Sequence, residues 1–467
     1  MELRASALTV QEQLTPRQEE LEQCFERYPD VPREVIVKED VLRMGVRFSP
    51  SALAQTDQTR PRTYYIFSYD RTRLDDMQHD ESKVAPEEAR IAGGRWSLRP
   101  TLISARVEYH SPYEITAPEG RLLLTAEGAP LAEVEFPPLP AYYDLSHADG
   151  TPYSQTAGLV GWGTRAFTTV LRGCQLWGEK EECQFCDLNS NSRALRQMGR
   201  PYKTRKEPEM VAEVLEEIFL NQPSQEIGKT MYLVSGGTVI DRRQMIEADD
   251  EFYLPFVRAI KRRLGDRWPM HLQTFAKPKE RLQPYKDAGV DCHHANIEVW
   301  DKRLFQIICP GKAHFVGYDQ WLRWLCESVE VFGEGRITPS FVIGVELSEP
   351  NGFATVEEAV ASTSAGFDYL MSHGVTPRAP QWCIEPLTVL GKPNAQKLVP
   401  LDFFIQIDRA WFQTWKKYKL PKLHGWPNMG PGNCYYQNGA FLDMGVGEHL
   451  EDPYGPLLEP SLRRGEA

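Results

Sequence analysis

"TMYLVSGGT", residues 230–238, is followed at 251–265 by "EFYLPFVRAIKRRLG". The first is a short apolar run that ends in two glycines. The second is long enough for a helix, and its glycine stops it. Together they read as one strand feeding one helix. Upstream, "FTTVLRG" (167–173) precedes "EPEMVAEVLEEIFL" (207–220), whose Met210, Val211, Val214, Leu215, Ile218 and Phe219 recur at helical spacing. Downstream the alternation continues. "MHLQTF" (270–275) leads to "PKERLQPYKDAG" (278–289), and "CHHANIEV" (292–299) to "GYDQWLRWLCESVEVFG" (317–333). "ITPSFVIGVE" (337–346) leads to "TVEEAVASTSAGFDYLMSHG" (355–374), and "QWCIEPL" (381–387) reads as the sixth strand. Strand and helix units in series imply a parallel sheet with right-handed crossovers. The expected class is α/β, a partial (β/α)6 TIM-like barrel, short of the eight units of a closed one.

This core is expected over residues 161–395, with a β-rich, irregular N-terminal region over 1–160 and a C-terminal extension over 396–467. In the first region "TYYIFSY" (63–69), "ISARVEYH" (103–110) and "RLLLTAE" (121–127) read as strands, and "RLDDMQHDESKVAPEEAR" (73–90) as a loop. The extension carries one aromatic helix around "FFIQIDRAWFQTWKKY" (403–418), followed by loops rich in Gly, Pro and Asn.

The chain has 467 residues, 41% hydrophobic and 25% charged, with a formal charge of −12. That charge argues against binding along a nucleic acid backbone. The N-terminus "MELRASALTVQEQLTPRQEE" lacks the apolar core of a signal peptide. No apolar run approaches the roughly 20 residues of a membrane helix. A cytoplasmic location, with neither nucleic acid nor membrane as partner, is expected.

Side chains alternate faces along a strand. His271 shares a face with Gln273. Cys292, His294, Asn296 and Glu298 share another, as do Gln381, Cys383 and Glu385; Arg172 aligns with Cys174. These polar faces are expected to line a wet interior that holds a polar ligand, with the apolar faces against the helices. His271 and His294 are candidates for substrate binding or proton transfer, or are satisfied interior histidines. Cys292 and Cys383 are candidate hydrogen-atom donors, or small core fillers. Arg172 is expected to pair with Glu298 or Glu385.

Three of the nine cysteines lie within "RGCQLWGEKEECQFCDLNSN" (172–191), at Cys174, Cys183 and Cys186, in a polar loop after the first core strand. The rest are scattered, which is no disulfide framework. A structural zinc site wants four ligands, and no fourth Cys or His lies nearby in sequence. Three thiolates with one open position suit a 4Fe–4S cluster. A reactive dithiol at Cys183 and Cys186 would leave Cys174 without a role. Cys309 and Cys434 stand too far from the loop to suggest a second cluster.

This combination resembles the radical S-adenosylmethionine (radical SAM) superfamily over roughly residues 166–390. "CQFC" matches the family's C-x-aromatic-C ending, with Phe185 at the aromatic position. "SGGT" (235–238) matches its glycine pair after the second strand. "NIEVWDKRLFQIICPGK" (296–312) looks like the fourth-strand segment of biotin-synthase-like members, and "FVIGVE" (341–346) like the fifth. Two features depart from the family pattern: the first cysteine gap is eight residues where three is usual, and Thr238 stands where many members carry Glu. The resemblance implies a 4Fe–4S cluster on Cys174, Cys183 and Cys186. It implies S-adenosylmethionine near Phe185, Gly236, Gly237, Thr238, Gln273, Glu298 and Ser340. The cofactor would be cleaved reductively to a 5′-deoxyadenosyl radical that takes hydrogen from a small polar substrate. The electron would come from an external one-electron donor such as flavodoxin or ferredoxin. No catalytic side chain is assigned. Two alternatives remain: a zinc-stabilised α/β ligand-binding protein, and a thiol redox enzyme using Cys183 and Cys186.

Overall fold

The computed structural model describes residues 14–56, 85–178, 180–197, 203–222, 228–239, 245–385, 387–391, 395–426 and 436–444. Its class is mixed α/β. The chain begins with two helices, α1 (Pro16–Arg27) and α2 (Arg33–Met44), where the sequence suggested irregular β structure. The start of α1 has a legible local signal. Thr15 caps the Gln18 amide, the Gln18 side chain returns to Thr15, and Pro16 sits at the first turn. α2 is buried from Glu34 to Arg43. Its run "REVIVKEDV" therefore lacks the one-sided apolar stripe of a surface helix.

A short α3 (Pro50–Leu53) follows β1 (Arg47–Phe48). A six-stranded sheet then forms from β1, β2 (Glu88–Gly93), β3 (Leu98–Ser104), β4 (Tyr113–Thr116), β5 (Leu123–Ala126) and β6 (Ala129–Glu135), in the order β1-β4-β5-β6-β2-β3. "RLLLTAE" supplies β5. Its hairpin to β6 turns at Glu127 and Gly128, both at positive φ, which matches the twist of paired strands. Of "ISARVEYH" only Ile103 and Ser104 are in a strand, as the end of β3; after Ser104 the chain crosses to the end of α2, where the Val46 amide donates to Arg106 O at 2.7 Å. Glu88–Arg90, expected in a loop, lies in β2. "TYYIFSY" and residues 73–84 lie outside the described residues.

The second sheet, order β11-β10-β9-β8-β7, holds the β/α series. β7 (Gly158–Val160) makes an antiparallel hairpin with β8 (Arg165–Leu171). β8, β9 (Met231–Gly236), β10 (Met270–Gln273) and β11 (Cys292–His294) are parallel. Between them run α4 (Leu188–Gln197), α5 (Pro208–Glu216), α6 (Met245–Leu264) and α7 (Lys279–Asp287). α4 was not foreseen. α7 ends at Gly289, whose φ of 103° only glycine adopts freely.

Beyond β11 the ladder continues as isolated parallel bridges: His293 with Ile337, Glu298 with Phe341, Ser340 with Arg378, and Ile343 with Gln381. The fifth and sixth expected strands are thus bridged segments, and the fourth stops at His294. Asn296 causes part of this, since its side chain accepts from the Ser340 amide at 2.9 Å; the chain then turns at Glu298, with φ of 72°. α8 (Lys302–Ile308) and α9 (Pro310–Phe315) were not foreseen. α10 (Tyr318–Glu327), α11 (Val329–Phe332), α12 (Val356–Ser372) and α13 (Leu401–Tyr418) follow.

Val170, Val234, Met270 and Leu272 on the strands pack with Val214 and Leu215 of α5 and Val257 and Ile260 of α6 in one continuous core. Burial of each such side chain contributes about 1.5–3 kcal/mol. No described helix is long and apolar enough to cross a membrane.

Residues 436–438 join the two sheets. The Ser104 amide donates to Gln437 O, and the Gln381 amide to Asn438 O, both at 2.9 Å. Arg165 of β8 donates to the Gln437 side chain at 2.7 Å. This segment therefore sits between the first and sixth parallel segments, against the end of β3.

Candidate active site

The three clustered cysteines occupy the loop between β8 and α4, beyond the C-terminal end of the first parallel strand. Both ends of the loop are anchored. Asn189, in the first turn of α4, accepts from the Cys174 amide at 2.7 Å and donates to the Cys174 carbonyl at 3.1 Å. The Gln184 amide donates to Ile308 O at 2.8 Å, and the Gly311 amide to Glu181 O at 3.0 Å. These two bonds fix the far end to the α8–α9 junction. The Cys186 amide closes a turn on Cys183 O at 3.0 Å. All three thiols and Phe185 line a cavity of about 260 Å³. Burial pushes the Cys174 and Cys186 thiols up, whereas Cys183 is lowered, first by a hydrogen bond from Cys309. Cys309, which looked isolated in sequence, thus neighbours the loop, although it does not line the cavity. Cys434 lies outside the described residues.

The "SGGT" turn at the end of β9 forms the next wall; Gly236, Gly237 and Thr238 all line the cavity. A Cβ on Gly237 would fall 2.1 Å from Gly173 O and 2.6 Å from Cys174 Cα. Glycine is therefore required here because the cysteine loop lies directly against the turn. The Gly237 carbonyl accepts from the Tyr253 hydroxyl at 2.8 Å, and the Thr238 carbonyl from the Gln175 amide at 2.9 Å. Each carbonyl oxygen keeps a second lone pair.

Gln273, Glu298 and Ser340 line the same cavity. Glu298 pairs with Lys312, not with Arg172 as expected. Lys312 Nζ lies 2.5 Å from Glu298 Oε1 and 2.7 Å from Asn296 O, with the ring of Trp321 at 4.9 Å. Burial works against the ammonium, yet Glu298 and then Cys183 hold it above the ordinary lysine value. Lys312 was missed in the sequence. It lies on a six-residue helix, and its partner is fourteen positions upstream.

The sixth parallel segment, the N-terminal region and the extension add Ser104, Arg106, Arg378, Gln381, Trp382 and Tyr436 to the lining. Asn296, Cys383 and Glu385 also face the cavity. His271 and His294, by contrast, are fully buried away from it, and His271 Nδ1 lies 2.8 Å from His294 Nε2. Burial drives both rings well below the usual histidine range. Arg172 and Cys292 are buried and do not line the cavity.

No family model matches the chain. Among curated proteins, the bacteriochlorophyllide c C-7(1)-hydroxylase of Chlorobaculum limnaeum is 33% identical over 64 residues, 14% of this chain and 16% of that protein. The match thus spans about a sixth of the relative's length. Among solved structures, methylornithine synthase (PylB) aligns over 58% of this chain and 72% of its own, at 15% identity and a TM-score of 0.39. The FeFe-hydrogenase maturase HydG from Carboxydothermus hydrogenoformans aligns over 54% of this chain and 52% of its own, at 15% identity and a TM-score of 0.37. All three similarities are partial, and both structural likenesses have TM-scores below 0.5.

Proposed function

We propose that the chain is a radical SAM enzyme built on a partial (β/α)6 barrel over residues 161–395, acting on a small polar substrate. One observation carries this reading. Cys174, Cys183 and Cys186, the Gly236–Gly237 turn, Gln273, Glu298 and Ser340 come from five successive parallel segments, and all line one cavity. Ligand sites in parallel α/β folds gather at such strand ends. The donor set fits a cluster better than a single ion. Thiolates are the usual holders of iron–sulfur clusters. When bound, the cluster and S-adenosylmethionine would supply reductive cleavage and a 5′-deoxyadenosyl radical.

The chain's own residues position and enclose. Asn189 holds the Cys174 backbone, and Lys312 places a positive charge between Glu298 and Cys183. Phe185, Phe275, Trp321 and Trp382 provide apolar walls that exclude water and stray donors. The electron enters from an external flavodoxin or ferredoxin. Ser104 and Arg106 of the N-terminal region and Tyr436 and Asn438 of the extension complete the substrate side.

The test is anaerobic preparation followed by iron and sulfide analysis and an absorption spectrum. About four irons and four sulfides per chain are expected, lost in C183A, with 5′-deoxyadenosine formed from S-adenosylmethionine under dithionite. A colourless protein with about one zinc per chain, or a reversible Cys183–Cys186 disulfide without iron, overturns the reading.

A further inference from the structure

We propose that the substrate of this cavity carries an oxyanion, a carboxylate or a phosphate, held by Arg106 and Arg378. The inference rests on the reading above in taking the cavity as the substrate site, and it adds the chemical class of the substrate.

Arg106 follows β3, where the chain leaves the six-stranded sheet toward the end of α2, and only 2% of it is exposed. Its Nη1 donates to Leu42 O and, at 3.3 Å, to Gln381 Oε1. Its Nε and Nη2 have no hydrogen-bond partner among the described residues. Arg378 lies on the sixth parallel segment and is 7% exposed. Its Nε donates to Thr338 O at 3.1 Å, and its terminal nitrogens make no hydrogen bond among the described residues. Both arginines line the cavity.

Charge balance separates these two from the other cations nearby. Lys312 has Glu298 at 2.5 Å, and Lys277 has Asp250 at 3.1 Å. No described carboxylate forms an ion pair with Arg106 or Arg378. Glu385 shares the cavity lining but pairs with neither. Burial lowers the Arg378 guanidinium from its usual value, opposed by Tyr436 and Glu298. Two desolvated guanidiniums that line one cavity without an ion pair among the described residues are costly unless something negative joins them. A planar fork of N–H donors matches carboxylate and phosphate oxygens in two-point contact. The arginines come from the sixth segment and the N-terminal region, whereas the "SGGT" turn ends the second strand.

The probes are inorganic phosphate and succinate. Each is titrated by calorimetry into anaerobically reconstituted full-length protein, at ionic strength matched with sodium chloride. S-adenosylmethionine is titrated separately. Saturable binding of phosphate or succinate is expected, and the probe that binds tells which oxyanion the wall prefers. R106Q and R378Q should each weaken that probe by about tenfold or more, with R378K recovering part of the loss. S-adenosylmethionine affinity should stay unchanged. Failure of both probes to saturate the wild type overturns the proposal, as does equal affinity in the variants. Loss of S-adenosylmethionine affinity in step with the probe also overturns it, since the arginines would then hold the cofactor's own carboxylate. If R106Q fails to fold by circular dichroism, R378Q and R378K decide. Arginine-dependent probe binding in a protein that forms no 5′-deoxyadenosine would sink the radical reading while leaving the oxyanion site standing.

Discussion

Replacing Lys312 by methionine isolates the ion pair at the cavity wall. Lys312 is 8% exposed and Glu298 7%, so water screens neither charge effectively. The ammonium contacts Glu298 Oε1 at 2.5 Å and Asn296 O at 2.7 Å. Methionine keeps an unbranched stem against Trp321 and removes only the charge and its donors. What remains is a buried carboxylate with no other ion pair among the described residues. Breaking a buried pair by deleting one partner typically costs about 3–5 kcal/mol, because the remaining charge stays desolvated. Removing that charge as well, in E298Q/K312M, should return more than about 1 kcal/mol of the loss, the coupling expected of residues in contact. The assay is urea unfolding followed by tryptophan fluorescence, with stability extrapolated to zero denaturant. A K312M variant within about 0.5 kcal/mol of wild type, the range of an ordinary surface substitution, would refute the buried-pair argument. So would a double variant no more stable than the single one.

Three further predictions follow from other parts of the molecule. G237A should lose about 1–3 kcal/mol and bind less iron per chain, because its Cβ meets the Gly173 and Cys174 backbone; G236A should be milder, since its closest contact, at 2.6 Å, is the end of the Tyr253 side chain. A G237A protein with wild-type melting and iron content would contradict this. Glu346 is buried, accepts from Thr363 Oγ1 at 2.6 Å and from the Gly344 amide at 2.7 Å, and is pushed up to about 7 by burial. A carboxyl raised in the folded state favours folding below its unfolded value and loses that contribution as pH rises from about 4.5 through about 7, by up to about 3 kcal/mol. E346Q should flatten this window and be the more stable protein at pH 8; parallel pH profiles would count against it, and the slope that remains is shared by other carboxyls that burial raises, Glu39, Glu88, Asp249 and Asp408 among them. T355A removes the capping box of α12 and should cost about 1 kcal/mol in thermal or urea unfolding.

What was legible in the sequence was local. Helices α5, α10, α12 and α13 fall within the helical stretches read from the sequence, and β8, β9 and β10 within its short apolar runs. The cysteine spacing and the "SGGT" turn are contiguous signals at the ends of the first two of those strands. Local signals fail where long-range packing decides. α2 reads "REVIVKEDV" and is helical because it is buried on all sides. The fourth strand stops at His294, where Asn296 spends its side chain on the Ser340 amide and Glu298 turns the chain at positive φ, and the fifth and sixth are reduced to bridges. Lys312 and Cys309 reach the cysteine loop only because α8 and α9 fold back onto Glu181 and Gln184. Arg106 was invisible as a site residue, since the segment it faces, around Gln381, lies 275 positions further along the chain.

The same long-range contacts assign work to the chain's ends. A parallel sheet that stops at its sixth segment leaves backbone donors on its last edge. Here the Gln381 amide is met by Asn438 O, and the Ser104 amide by Gln437 O. Residues 437–438 thus touch β8, the sixth segment and the end of β3. Ser104 and Arg106 line the cavity alongside Arg378. The cysteine loop, the glycine turn and Glu298 lie on the earlier segments, so the two walls can vary independently. Substitutions in β3 or in residues 436–438 should therefore change which substrate is accepted while leaving iron content and S-adenosylmethionine cleavage intact. Substitutions at Gly237 or Asn189 should do the reverse.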